Sequence, residues 1–241
     1  PIFAARPVAD NVLQVQLAPS LRQCLPALQQ PLRRLFDLDV DPVAIATCLE
    51  SDGQLAPLSQ QTPGLRLPGT LDGFELAMRA VLGQQISVKA ATTLFRRMVE
   101  RFGKPVETPF EGLDRLPPPA ERIASLERED LLPCGLTRRR ADTLLALARE
   151  VRDHSLRLDT SADPQATRQQ LLALPGIGPW TTEYIAMRAL GAPDAFPHSD
   201  LGLLKGAGVT KPAELEARSQ HWRPWRAYAA FHLWHSLGQG G

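Results

Sequence analysis

A chain of 241 residues makes one large domain or two small ones, and a hydrophobic content of 44% supports a packed core and argues against disorder. The net charge of +1 provides no global basic field, so any nucleic-acid contact has to come from locally segregated basic residues. No apolar run reaches the length of a membrane span and no secretory leader is visible; Cys24, Cys48 and Cys134 fit no metal spacing and read as reduced, buried or semi-buried thiols of a cytoplasmic protein.

Residues 1–65 differ in character from the rest. Leu13, Val15 and Leu17 alternate with Gln14 and Gln16, which predicts a strand over 12–17. Leu21, Leu25, Leu28, Leu32 and Leu35 follow a helical spacing that Pro26 and Pro31 interrupt. Asp41-Pro42 is an N-cap followed by a first-turn proline, opening a short helix to Leu49. One strand cannot form a sheet alone. Residues 62–69 are a Pro/Gly-rich linker.

Residues 66–241 read as an all-α core. Asp72 caps a helix whose apolar side is Phe74, Ala77, Met78, Val81 and Leu82. Gly83 to Ser87 break it, and Ser87 caps the next helix, 88–102. The plain reading of Gln84 and Gln85 is a polar turn between helices. Further helices are expected over 121–125, 128–132, 137–151, 168–174, 212–219 and 224–237. Arg138-Arg139-Arg140 opens one of them, as a solvated face or as phosphate contacts.

The most informative stretch is Leu174-Pro175-Gly176-Ile177-Gly178-Pro179-Trp180-Thr181, between a helix ending at Pro175 and an apolar helix from Trp180. The glycines permit a tight turn and Pro179 suits a first helical turn. Such a turn leaves backbone N–H groups unpaired at a helix N-terminus, which is a seat for phosphate. Many such turns join helices with no ligand. Asp200, beyond Phe196-Pro197-His198-Ser199, reads on its own as the N-cap of a short helix.

The hairpin followed by Asp200 resembles the helix-hairpin-helix–Gly/Pro-Asp (GPD) superfamily of DNA glycosylases, and within it the 3-methyladenine DNA glycosylase II group of alkylation-repair enzymes (AlkA-like). The same resemblance runs through Arg66-Leu67-Pro68-Gly69, Phe74-Glu75, Leu82-Gly83-Gln84 to Ser87-Val88, and Trp222-Arg223-Pro224-Trp225-Arg226-Ala227-Tyr228. It implies a mainly α fold with a two-part helical core over 66–241. Residues 1–65 would be the last portion of a small N-terminal α+β domain with a curved antiparallel sheet, the lone strand being explained by an upstream piece.

It further implies a monofunctional enzyme of base-excision repair. That enzyme flips an alkylated purine out of double-stranded DNA and hydrolyses its glycosidic bond, leaving an abasic site. Asp200 matches the catalytic carboxylate, and Trp180, Tyr184 and Trp234 match the aromatics of the base pocket; Trp222 and Trp225 are read as core. Backbone amides of Gly176, Gly178 and Thr181 would anchor the DNA. The turn Gln84-Gln85-Ile86-Ser87 would enter the minor groove, with Gln85 or Ile86 as plug where the well-known relative carries leucine. Ser199 stands where that relative has an acidic residue.

Relatives with lyase activity place a lysine where this chain has Trp180, so no Schiff base is expected. No cofactor is needed for the chemistry, but carbonyls of Leu172, Leu174 and Ile177 match a site for a monovalent cation, Na+ or K+. A monomer without membrane contact is expected. The alternative from another class is a non-catalytic helix-hairpin-helix module that binds damaged DNA; a plainer one is an all-α protein with an incidental glycine turn.

Overall fold

The computed structural model describes residues 3–9 and 12–238. The chain opens with a hairpin of β1 (Phe3–Ala9) and β2 (Val12–Leu17), antiparallel, with Phe3 opposite Leu17 and an irregularity between Pro7 and Ala9. The strand read at 12–17 therefore has a partner. In β1, Ala4-Ala5-Arg6-Pro7 hides the alternation of a strand, and Pro7 is tolerated because a two-stranded ribbon is all edge.

The single helix expected from residue 21 is split into a 3₁₀ turn (Pro19–Cys24) and α1 (Leu25–Leu35). Pro26 lies in the first turn of α1, where its missing N–H is no loss, and Pro31 lies inside it. Cys24 is exposed at this junction, contrary to the expectation of burial, whereas Cys134 is buried and Cys48 half-buried. Asp41 caps α2 (Pro42–Leu49) by accepting the Val43 amide at 2.9 Å. α3 (Leu55–Gln61) was not legible in the sequence, having few apolar residues and a proline at 57; Asp52 starts it by accepting the amides of Gln54 and Leu55.

Among the described residues the remaining regular structure is helical apart from a two-residue ladder, β3 (Lys104–Pro105) with β4 (Arg115–Leu116). The helices are α4 (Gly73–Gly83), α5 (Val88–Phe102), α6 (Ala120–Ala124), α7 (Arg128–Leu131), α8 (Arg138–Arg152), α9 (Pro164–Ala173) and α10 (Pro179–Arg188). After them come α11 (Leu201–Gly206), α12 (Pro212–Ser219) and α13 (Arg226–Gly238). Asp72 caps α4 and Ser87 caps α5 through side-chain oxygens, as their sequence positions predict.

Two hydrophobic cores result among the described residues. The first gathers Met78 and Leu82 of α4 with Met98, Ile123, Leu131, Leu144, Leu147 and Leu171. The second gathers Leu49, Leu55, Leu203, Leu215, Trp222 and Leu233. α10 and the two residues that follow it serve both: Ile185 and Ala189 face the first core, while Ala186, Met187 and Leu190 face the second. A helix apolar on two sides is a buried helix.

At the seam with the N-terminal residues, Asp37 accepts the Leu67 amide at 3.0 Å and the Tyr228 hydroxyl at 2.9 Å. Burial pushes the Asp37 carboxyl up and pushes the Tyr228 hydroxyl well above the ordinary tyrosine range. In the second core, Asp52 joins Arg218 at 2.7 Å and accepts the Trp222 indole at 3.0 Å, so the core reading of Trp222 holds. Trp225 is half-buried with its ring edge-on to Tyr228.

Candidate active site and nucleic-acid interface

The turn between α9 and α10 is shaped by Gly176, whose φ is +83°. A Cβ there would lie 2.1 Å from Thr143 Oγ1 on α8, so both backbone conformation and space demand glycine. Gly178 is the N-cap of α10, with no side-chain cap and with Pro179 in the first turn. The first amides of α10 are thus left without a side-chain acceptor at a helix N-terminus, the geometry that favours an anion. Arg168 on α9 and Glu183 on α10 clamp the two helices at 2.8 Å. Glu183 also accepts the Phe196 amide at 3.0 Å, which fixes the loop leading to Asp200.

Asp200 is both the expected N-cap and the focus of the cleft. Its Oδ1 accepts the Leu203 amide at 2.8 Å, capping α11, and the Trp234 Nε1–H at 2.8 Å. Its Oδ2 accepts the Trp180 Nε1–H, also at 2.8 Å. Three donors orient the carboxylate, and acceptor capacity remains on Oδ2. The loop is held from the other side by Asp194, which accepts Arg226 at 2.7 Å and Arg223 at 2.6 Å, so the start of α13 is tied to the segment that Trp234 must reach. Gly202 lies so close that a Cβ there would be 2.9 Å from Asp200 Oδ1 and 3.2 Å from the Trp234 ring.

Trp180 and Tyr184 stack in parallel, 5.3 Å between centroids and 6° between planes. A third ring between them would need about 7 Å, twice the ~3.5 Å contact distance, so a ligand ring has to use an outer face. Trp234 meets Phe231 edge-on at 5.5 Å. Arg188 completes the wall, donating to the Pro68 carbonyl and, at 3.3 Å, to the Tyr184 hydroxyl. Its guanidinium lies 5.6 Å from the Phe231 ring. Phe231 and Arg188 were missed in the sequence; the i, i+3 relation of Phe231 to Trp234 and the i, i+4 relation of Arg188 to Tyr184 place each on a site face.

These groups line one cleft of about 1450 Å³, bounded by the α4–α5 loop, the start of α8, the hairpin, α11 and α13. Within the loop the four expected contact residues differ. The Gln84 amide is turned inward, donating to the Gly176 carbonyl and to Thr181 Oγ1, both at 3.0 Å. The Arg140 guanidinium donates to the Gln84 carbonyl. Gln85 is exposed at the tip with φ +56°. Ile86 packs against the first core, which leaves Gln85 as the residue free to project, and the Ser87 hydroxyl accepts the Ala90 amide at 3.3 Å.

Thr181 is buried with its hydroxyl taken by Gln84, so any anchoring from it falls to its backbone. The rim also carries Val88 and Leu201, 84% and 81% exposed, which sequence patterns did not single out. Of the arginine run, Arg140 is used internally, Arg139 lines the cleft and Arg138 is exposed. The Leu174 carbonyl accepts the Ile177 amide at 3.2 Å, and Leu172 is exposed beside it. Among the described residues no group of His, Cys, Asp and Glu could hold a metal ion, and no helix is long and apolar enough to cross a membrane.

Two family models match the chain: the AlkA N-terminal domain over residues 2–72 and the HhH-GPD superfamily base excision DNA repair protein over residues 78–222. The chain is 43% identical over 240 residues to the "Probable bifunctional transcriptional activator/DNA repair enzyme AlkA" of Mycobacterium tuberculosis. That alignment covers 98% of this chain and 48% of the relative, so the chain spans about half the relative's length. It is 31% identical over 242 residues to DNA-3-methyladenine glycosylase 2 of Escherichia coli, covering 98% of this chain and 81% of that protein. The fold matches a 3-methyladenine DNA glycosylase from Archaeoglobus fulgidus with a TM-score of 0.78 at 24% identity, over 95% of this chain and 80% of that one.

Proposed function

The chain belongs to the HhH-GPD superfamily of base excision DNA repair proteins, and from that membership we propose a monofunctional DNA glycosylase acting on alkylated purines of the 3-methyladenine and 7-methylguanine type. The observation that carries the reading is the Asp200 carboxylate, fixed by the Trp180 and Trp234 indoles at the focus of an aromatic-walled cleft beside an anion-seating hairpin.

A base inside a duplex must leave the stack before its glycosidic bond can be reached. Hairpin amides at Gly178 and Thr181 hold phosphate, and Gln85 fills the space left in the stack. The flipped purine rests against an outer face of the Trp180–Tyr184 pair or against Trp234. A purine alkylated at N3 or N7 is cationic, and aromatic faces attract it. The bond from C1′ to the base nitrogen breaks with its electron pair passing to the base, which leaves neutral and needs little protonation. Positive charge develops on the sugar, and the Asp200 carboxylate stabilises it. Water adds to C1′ and loses a proton, giving free base and an abasic site. Position 180 holds tryptophan, so no amine is present there to form a Schiff base.

The enzyme reading is favoured over a non-catalytic damage-binding module because a pure binder needs the hairpin but not a carboxylate gripped by two indoles. Uncharged carbonyls at Leu172, Leu174 and Ile177 would hold Na+ or K+, whose positive charge would favour phosphate near the turn. The protein would act as a cytoplasmic monomer on double-stranded DNA.

The test is single-turnover release of 3-methyladenine from methylated duplex DNA. Asp200→Asn is expected to lower the rate by about 10²–10³-fold, the scale of removing one transition-state electrostatic partner, with DNA affinity retained. Equal release by both proteins would remove Asp200 from the chemistry. Binding without release by the parent would favour the non-catalytic reading.

A further inference from the structure

The α4–α5 loop and the hairpin approach the duplex from different parts of the chain, yet one side chain joins them. We infer that Gln84 is a positioning residue that couples the Gln85 plug to the phosphate-seating hairpin; this rests on the glycosylase reading and adds how its two duplex contacts are held in register.

Both donor hydrogens of the Gln84 amide are spent on the hairpin, one on the Gly176 carbonyl in the turn and one on Thr181 Oγ1 in the first turn of α10. Its backbone carbonyl is held by Arg140 on α8. The same helix presses Thr143 against Gly176. α8 therefore braces the loop and the hairpin together, and Gln84 closes the triangle.

The residue so braced is Gln85, whose φ of +56° is a left-handed conformation that non-glycine residues avoid unless their surroundings impose it. Gln84 has no hydrogen left to give to a base or phosphate. Its contribution is to fix where Gln85 stands relative to the amides that receive phosphate, before DNA arrives. Preorganisation of this kind changes selectivity for a gapped stack more than general affinity.

Gln84→Met keeps the length of the side chain and removes both donors. The measurement is affinity, by fluorescence anisotropy, for a duplex carrying a stable abasic-site analogue and for the same duplex undamaged. The preference for the abasic duplex is expected to fall about tenfold, the scale of one or two lost hydrogen bonds, while undamaged affinity changes by less than about twofold. Adding Gln85→Ala to Gln84→Met should cause no further loss, because the plug is already displaced; a residue that only stabilised the fold would leave the preference unchanged and the two effects additive.

Unchanged preference in Gln84→Met, or full additivity with Gln85→Ala, overturns the inference. Should Gln84→Met melt far below the parent, Thr181→Val carries the same expected loss of preference and the same refutation, since it removes an acceptor from the hairpin side and leaves the loop intact; the ratio of the two affinities is the readout there, because the Thr181 amide itself seats phosphate. A parent protein with no preference for the abasic duplex contradicts the glycosylase reading, and the inference falls with it. A parent that prefers it beside an unchanged variant removes the inference alone.

Discussion

Asp200 does two jobs with one carboxylate. It caps α11 through the Leu203 amide and receives two indole N–H groups across the cleft. A hydrogen bond to a charged acceptor contributes about 1.5–3 kcal/mol, so each indole stabilises one orientation of the carboxylate by an amount that matters to a rate. Trp180→Phe keeps a six-membered ring against Tyr184 and deletes the donor to Oδ2 together with the rest of the indole. We expect single-turnover base release to slow by about 10–100-fold with little change in thermal midpoint. A rate loss no larger than that of Tyr184→Phe would mean that Trp180 serves by stacking alone. The capping role of Asp200 was legible in the sequence, since an N-cap follows from residue type and position. That both indoles would point their N–H at it was not, because indole orientation is set by contacts between residues far apart in the chain.

Among the elements, those with strong local signals are where the sequence places them: α4 and α5 behind their caps and α10 after the glycine turn; α9 starts at Pro164, four residues before the start read from the sequence, because Asp163 caps it by accepting the Ala166 amide. The elements hidden in the sequence are those held by partners rather than by their own pattern. β1 depends on pairing with β2, and α3 depends on Asp52, whose carboxylate also serves Arg218 and Trp222. Burial pushes the Asp52 carboxyl up, but hydrogen bonds from Arg218, Trp222 and the two amides outweigh it and hold it below the ordinary carboxylate range. Its contribution to stability is therefore complete above a pH of about 4 and is lost as pH falls below that value. Asp52→Asn is expected to cost about 2–3 kcal/mol at neutral pH and to flatten the acid limb of a urea-denaturation series, somewhat less than breaking a fully buried pair. His232, which burial holds below its ordinary value, titrates alike in both proteins and cancels in the comparison. An acid limb of unchanged steepness would assign it to other groups.

At the scale of the molecule, a net charge of +1 means that attraction to DNA has to be local. The arginine run at the start of α8 shows how little composition says about this. Arg140 lines the cleft but is engaged with the Gln84 carbonyl, and Arg139 is the exposed member that lines it. Arg139→Ala is expected to reduce the slope of log affinity against log salt on undamaged duplex by about 0.9, the signature of one phosphate contact. An unchanged slope would return Arg139 to solvent. The sharing of α10 between two cores has a mechanical consequence. A hinge needs a segment that either body can release, and here the helix crossing the boundary is packed on both sides. Closing the cleft like a jaw would strip α10 of contacts with one core or the other, so in the proposed reaction most of the shape change is expected to fall to the nucleic acid. The stiffness of the base steps around a lesion, and not only the chemistry of the lesion, would then set how readily it is removed.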